Sequence, residues 1–144
     1  VDRLALQGEP NIELPKTHFD NLDFSFSGIK TAVINLHHKN PDINKADLCA
    51  SFEKTVTEIL IEHIKKAIEI TGLKTVALAG GVSANSYIRN AFDGLEKNGI
   101  KVYMPDLKLC TDNGAMIGSA GYYNYMAGIR DGLELNAIPN LKLN

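Results

Sequence analysis

The stretch Thr75-Val76-Ala77-Leu78-Ala79-Gly80-Gly81-Val82-Ser83-Ala84-Asn85 decides the fold class. From Val76 to Ala79 it is apolar on consecutive residues, which predicts a strand buried on both faces, the habit of parallel sheets. Gly80-Gly81 ends the strand. A helix then starts near Ser83 and runs through Tyr87, Ile88, Ala91, Phe92 and Leu95 until Asn98-Gly99 stops it. Ile100-Lys101-Val102-Tyr103-Met104 reads as the next strand, closed by Pro105. Strand, helix and strand in that order make a right-handed crossover with two parallel strands. The class is therefore α/β, rich in helix, with a small parallel sheet.

Downstream, a loop leads to Thr111-Asp112, a last helix covers residues 113–127, and residues 128–144 form a surface tail without a strong period. Upstream, the clearest helix spans residues 45–70. Its inner stripe is Leu48, Cys49, Phe52, Val56, Ile59, Leu60, Ile64, Ala67 and Ile68, and charged residues including Glu53 take the remaining positions. Asn44 is a good N-cap and Gly72 a good stop. Such a helix is roughly 37 Å long and should span the domain. Before it, Leu22, Phe24 and Phe26 alternate with polar residues as in a short half-buried strand. Ser27 then caps a helix with Ile29, Val33, Ile34 and His37 on its apolar positions, which ends near Asn40-Pro41. Residues 1–21 read as a short helix or turn and an extended connection, and residues 22–127 as the lobe itself. So few strands for so many helices predict that part of a sheet lies outside the chain. A start without Met and without a signal-peptide core predicts a piece of a longer protein.

Composition limits the function classes. The 144 residues carry 15 Lys+Arg against 17 Asp+Glu, a net charge of −2, which excludes nucleic-acid binding by bulk electrostatics but not by a local patch. With 44% hydrophobic and 22% charged residues the balance is that of a globular domain. Cys49 and Cys110 form no CxxC, which fits a reducing compartment and a cytoplasmic location. No apolar run approaches the ~20 residues of a membrane-spanning helix, so no membrane partner is expected.

Four segments carry candidate chemistry. Gly80-Gly81 at the carboxyl end of a strand lets a ligand approach the backbone, the following helix offers free N–H groups, and Asn85 offers a donor and an acceptor to a base or ribose. The plainer alternative is a tight strand-to-helix turn capped by Ser83. Cys110-Thr111-Asp112-Asn113-Gly114 also follows a strand and opens a helix, so it should share a rim with Gly80-Gly81. Asp112 is there either as a cation ligand or as an ordinary cap. One carboxylate does not make a metal site, and no HExxH is present, which argues against a metalloprotease. Gly114 and Gly118 share a face on which another helix could pack closely, at a cost of roughly 1 kcal/mol per helical glycine. Lys30 stands in the first turn of a helix, where an anion would make sense of it, or is simply solvated.

Asp23-Phe24-Ser25-Phe26-Ser27-Gly28-Ile29-Lys30-Thr31, Ala79-Gly80-Gly81-Val82-Ser83-Ala84-Asn85 and Cys110-Thr111-Asp112-Asn113-Gly114-Ala115-Met116-Ile117, in this order and spacing, resemble the C-terminal part of the bacterial TsaD family (also called YgjD or Gcp) over nearly the whole chain. The resemblance implies an actin/Hsp70/sugar-kinase-like fold, of which this would be a partial lobe. It also implies transfer of a threonylcarbamoyl group from an adenylate to N6 of adenosine 37 in tRNAs that read codons beginning with A. It implies that Gly80, Gly81 and Asn85 cradle the nucleotide, threonylcarbamoyl-adenylate or ATP. Asp112 would be one ligand of a divalent metal, iron or zinc, completed by two histidines of an HxxxH motif that this chain lacks. The implied partners are tRNA and TsaB-type and TsaE-type proteins. The chain alone would be inactive and would self-associate through its uncovered surfaces. No residue of the chain is assignable as a general base. The alternative is a stand-alone nucleotide-binding regulatory module without catalysis.

Overall fold

The computed structural model describes residues 1–17, 19 and 21–139. Its spine is helix α3, Lys45–Thr71. Asn44 starts it, with its side-chain oxygen accepting from the N–H groups of Ala46 (2.9 Å) and Asp47 (3.4 Å). Gly72 ends it in the left-handed conformation, its N–H on the carbonyl of Ile68. At about 1.5 Å per residue α3 is about 40 Å long.

Two clusters pack on α3. Toward its N-terminal half, Leu14, Ile29 and Ile59 form a core joined by Phe52 and Val56. Toward its C-terminal half, Leu60, Ile61 and Ile64 meet Ile88, Phe92 and Leu95. Because partners cover several sides, burial in mid-helix does not follow one stripe: Ser51, Glu53, Thr55 and Thr57 are buried as well as Ile59. Glu53, expected among the solvated charges, is 5% exposed.

The N-terminal residues are built onto this spine. After the single-turn helix α1, Asp2–Ala5, the chain runs along α3. Asp47 accepts from the N–H of Glu9 (2.8 Å), Ser51 Oγ from that of Ile12 (3.0 Å), and Lys16 Nζ reaches Glu58 (2.8 Å) and Glu62 (3.4 Å). Gly8 lies so close to the backbone of Ala46 and Asp47 that a Cβ there would overlap it.

Residues 22–26 form no strand. Leu22 and Phe24 are exposed, and no described strand runs beside them to supply a ladder. They are tied to α3 instead. The His63 ring bridges the carbonyl oxygens of Ile59 (2.8 Å) and Asp23 (2.9 Å), and Phe24 packs edge-on against it. Helix α2, Ser27–Lys39, includes Ser27 as its first residue; Phe26 takes the cap position without a side-chain bond of its own, and Ser25 Oγ accepts from the N–H of Ser27 (3.4 Å). Ile29 is fully buried and Leu36, rather than the exposed Ile34, packs on the core. The helix ends at Asn40, extended before Pro41 as that dipeptide requires.

Strands β1, Thr75–Ala77, and β2, Lys101–Tyr103, pair in parallel with Val76 opposite Val102, and α4, Ser86–Glu96, connects them. Val76, Leu78, Val102 and Met104 pack against α4. Thr75, Ala77, Lys101 and Tyr103 are exposed. The sheet is therefore covered on one face, not on both as the apolar run predicted, because α3 and α4 lie on the same side of it.

The chain divides into two compact units, Val1–Cys110 and Thr111–Asn144. The second contains α5, Gly114–Met126, capped by Asn113, whose side-chain oxygen accepts from the N–H of Met116 (2.9 Å). No residue of α5 is buried, and among the described residues no atom stands within 4 Å of the position a Cβ would take at Gly114 or Gly118. Of the expected tail, residues 140–144 lie outside the described residues, and residues 128–139 carry no helix or strand.

Candidate functional site at the carboxyl end of the first strand

The turn after β1 is built from its glycine outward. Gly80 has φ 83° and ψ 171°, a conformation that side-chain-bearing residues rarely adopt. Its carbonyl accepts from both the N–H (2.9 Å) and the Oγ (2.6 Å) of Ser83, which is fully buried. This double contact winds residues Gly81–Ala84 into one 3₁₀ turn. Ser83 thus closes the turn and does not cap α4, contrary to the sequence expectation.

The cap is Asn85. Its Oδ1 accepts from the N–H of Ile88 (3.0 Å) and its Nδ2 donates to Glu53 Oε1 (2.6 Å). Both ends of the amide expected to read a ligand are already engaged by protein. The next residue, Ser86, is held by the Asp2 carboxylate, which accepts from its Oγ (2.6 Å) and its N–H (3.3 Å). The free N–H groups expected at the start of this helix are therefore partly taken up by Asn85 and Asp2. What remains accessible is the backbone of Gly80 and Gly81, both exposed.

A cavity of about 460 Å³ adjoins the turn. Phe52, Val56, Leu78 and Val82 form apolar walls, and Glu53 and Asn85 supply a polar edge. Burial pushes the Glu53 carboxyl above its ordinary range. The Asn85 hydrogen bond pulls it back, the charge of Asp2 raises it further, and the Val1 amino group lowers it. Glu53 is the residue that sequence reading missed. Its signal was weak, since a glutamate among other charges on a long helix reads as solvated.

Asp112 belongs to the second unit and is exposed. Asn113, not Asp112, supplies the cap of α5. Among the described residues no three His, Cys, Asp or Glu side chains come together in a way that could hold a metal ion. A lone carboxylate does not fix a divalent cation, so the described residues do not make a metal centre by themselves. Lys30 is exposed and makes no ion pair among the described residues. No helix of the described residues is long and apolar enough to cross a membrane.

Fold and turn together define a helix-rich α/β lobe with a glycine turn at the carboxyl end of a parallel strand. The model of the family described as "TsaD: tRNA N6-adenosine threonylcarbamoyltransferase" matches residues 1–119, and the chain belongs to this family. The family's fold is of the actin/Hsp70/sugar-kinase type. A protein of Clostridium novyi (strain NT) is 47% identical over 152 residues, covering 99% of this chain and 45% of the relative. One of Clostridium perfringens (strain SM101 / Type A) is 48% identical over 151 residues, covering 99% of the chain and 44% of the relative. Both relatives are named tRNA N6-adenosine threonylcarbamoyltransferase. The chain spans less than half the length of these curated relatives.

Proposed function

We propose that this chain is the C-terminal part, with residues 22–127 as its lobe, of a transferase that adds a threonylcarbamoyl group to N6 of adenosine 37 in tRNAs reading codons that start with A. Family membership over residues 1–119 carries the reading. The turn geometry supports it: Gly80 and Gly81 expose backbone at the strand end where open α/β sheets hold their ligands. In this proposal Gly80, Gly81 and Asn85 cradle the nucleotide of threonylcarbamoyl-adenylate or ATP, Asn85 by fixing the turn and the glycines by backbone contact.

The reaction is acyl transfer. The lone pair of N6 attacks the threonylcarbamoyl carbonyl, the bond to the adenylate phosphate breaks, AMP leaves, and the nitrogen loses a proton. This chain's part is to hold and orient the adenylate; no side chain in the described site stands as the proton acceptor. Asp112 is the single ligand the chain would contribute to an iron or zinc ion, which when bound supplies electrophilic assistance. The remaining ligands, two histidines by the family resemblance, would come from outside this chain. tRNA and TsaB-type and TsaE-type proteins are the proposed partners, the location is cytoplasmic, and the chain alone is inactive and self-associates through its uncovered surfaces.

The test compares the 144-residue chain with the same sequence extended to the length of its relatives, each supplied with threonylcarbamoyl-adenylate, tRNA and the partner proteins. Mass spectrometry of digested tRNA should find the modified adenosine only with the extended protein. Asp112→Asn should lower both its metal content and its rate while leaving the fold intact. An extended protein that modifies no tRNA overturns the reading. Unchanged metal content in Asp112→Asn removes Asp112 from it.

A further inference from the structure

Arg89 lies in the first turn of α4, where the helix dipole disfavours a cation. Among the described residues no carboxylate pairs with it. Its guanidinium is instead spent on neutral acceptors from two separate connections. Nη1 donates to the carbonyl oxygens of Ser83 (3.0 Å) and Pro105 (3.1 Å), and Nη2 to Pro105 again (3.1 Å). Nη1 also lies 3.9 Å from Cys110 Sγ, and that thiol, 3% exposed, turns back to the carbonyl of Asp106 (3.5 Å).

Ser83 belongs to the turn that follows β1, and Pro105 and Cys110 to the loop that follows β2. The strands are parallel, so both connections leave the same edge of the sheet. The planar fork holds both carbonyls at once in a fixed geometry, with the thiol alongside; an ammonium on a flexible stem is not pre-organised to do so. We propose that Arg89 is a positioning residue. It fixes the Gly80–Ser83 turn and the Pro105–Cys110 loop against each other and so preforms the rim on which the nucleotide is held. The ligand part of this inference rests on the proposed function; the clamp itself rests on the four contacts.

The experiment uses the extended protein carrying Arg89, Arg89→Lys or Arg89→Ala. It measures amide hydrogen exchange at residues 81–85 and 106–110, equilibrium binding of ATP, and the effect of added methylguanidinium. In Arg89→Ala exchange should quicken in both loops together, and ATP affinity should fall about tenfold, the scale of one lost charge-assisted contact. Methylguanidinium at low, non-denaturing concentration should restore both, and Arg89→Lys should not. Quickening in one loop only, or no rescue alongside a general loss of protection, overturns the clamp. If the wild-type protein binds no ATP, the nucleotide reading and the ligand part of this inference both fall, while the exchange data still decide the clamp.

Discussion

Glu53 Oε1 accepts from Asn85 Nδ2 at 2.6 Å, joining the middle of α3 to the cap of α4. A buried carboxyl thus supports the turn that carries Gly80-Gly81. The pair has a pH signature. Burial raises the Glu53 value above 4.5, the Asn85 bond only partly offsetting it, so the folded protein holds this proton more tightly than the unfolded chain. The stability it contributes is complete below the ordinary carboxylate range and declines as pH rises through the raised value. Glu53→Gln keeps the shape and still accepts from Asn85, but has no proton to lose. Thermal melts from about pH 4 to about pH 8 should show a shallower decline for Glu53→Gln than for wild type. Parallel curves would remove Glu53 as the source.

Two glycines fail for different reasons when given a methyl group. Gly80→Ala meets open space, so its cost is the backbone conformation alone (φ 83°, ψ 171°), about 1–3 kcal/mol. Gly8→Ala drives Cβ into the backbone of Ala46, which cannot yield without shifting the start of α3. Urea titrations should rank Gly8→Ala as the more damaging, and only Gly8→Ala should loosen the N-terminal segment in limited proteolysis.

Among the described residues Thr57 Oγ1 is buried without a hydrogen-bond partner. Thr57→Val keeps the branched shape and removes the stranded hydroxyl. Stability should rise by about 1 kcal/mol, at the lower end of the cost of an unmet buried polar group. A loss of stability in chemical denaturation would mean that the hydroxyl has a partner in solution.

At Gly118 the local and the assembled protein should answer differently. Gly118→Ala gains up to about 1 kcal/mol of helix propensity and meets no atom of the described residues. Far-ultraviolet circular dichroism of the 144-residue chain should show α5 unchanged or firmer in Gly118→Ala. If a second backbone packs on this face in the extended protein, Gly118→Leu should weaken that protein by roughly 1–3 kcal/mol through overpacking.

The long elements were readable because each carries its own punctuation. Asn44 and Gly72 bound α3, and Asn98-Gly99, with Gly99 at positive φ, closes the turn after α4, whereas at α5 the cap expected at Asp112 falls to Asn113. Misreadings arose where a neighbour outweighs local pattern. Leu22, Phe24 and Phe26 alternate like a strand, yet among the described residues no strand runs beside them, and His63 ties down Asp23 and Phe24 instead. Ser83 has the chemistry of a cap, but Gly80 at positive φ draws it into a turn of its own and leaves the cap to Asn85. The turn that Gly80, Gly81 and Asn85 build was legible in the residues themselves. Glu53 and Arg89 were not, because their partners lie 32 and 16 residues away, beyond the reach of any local pattern.

The hold of Asp2 on Ser86 joins positions 84 residues apart. Closing so long a segment costs chain entropy before any contact repays it, whereas α4 and its two strands meet over short separations. The N-terminal turn should therefore dock late, after α3, α4 and the strands have assembled. Asp2→Ala should leave the refolding rate nearly unchanged and speed unfolding, the behaviour of a contact absent from the transition state. Stopped-flow chevrons would read this directly: a slower refolding arm would assign the contact to the nucleus. On this account the latch between the start of the chain and the glycine turn adds to how long the turn lasts, not to how fast it forms.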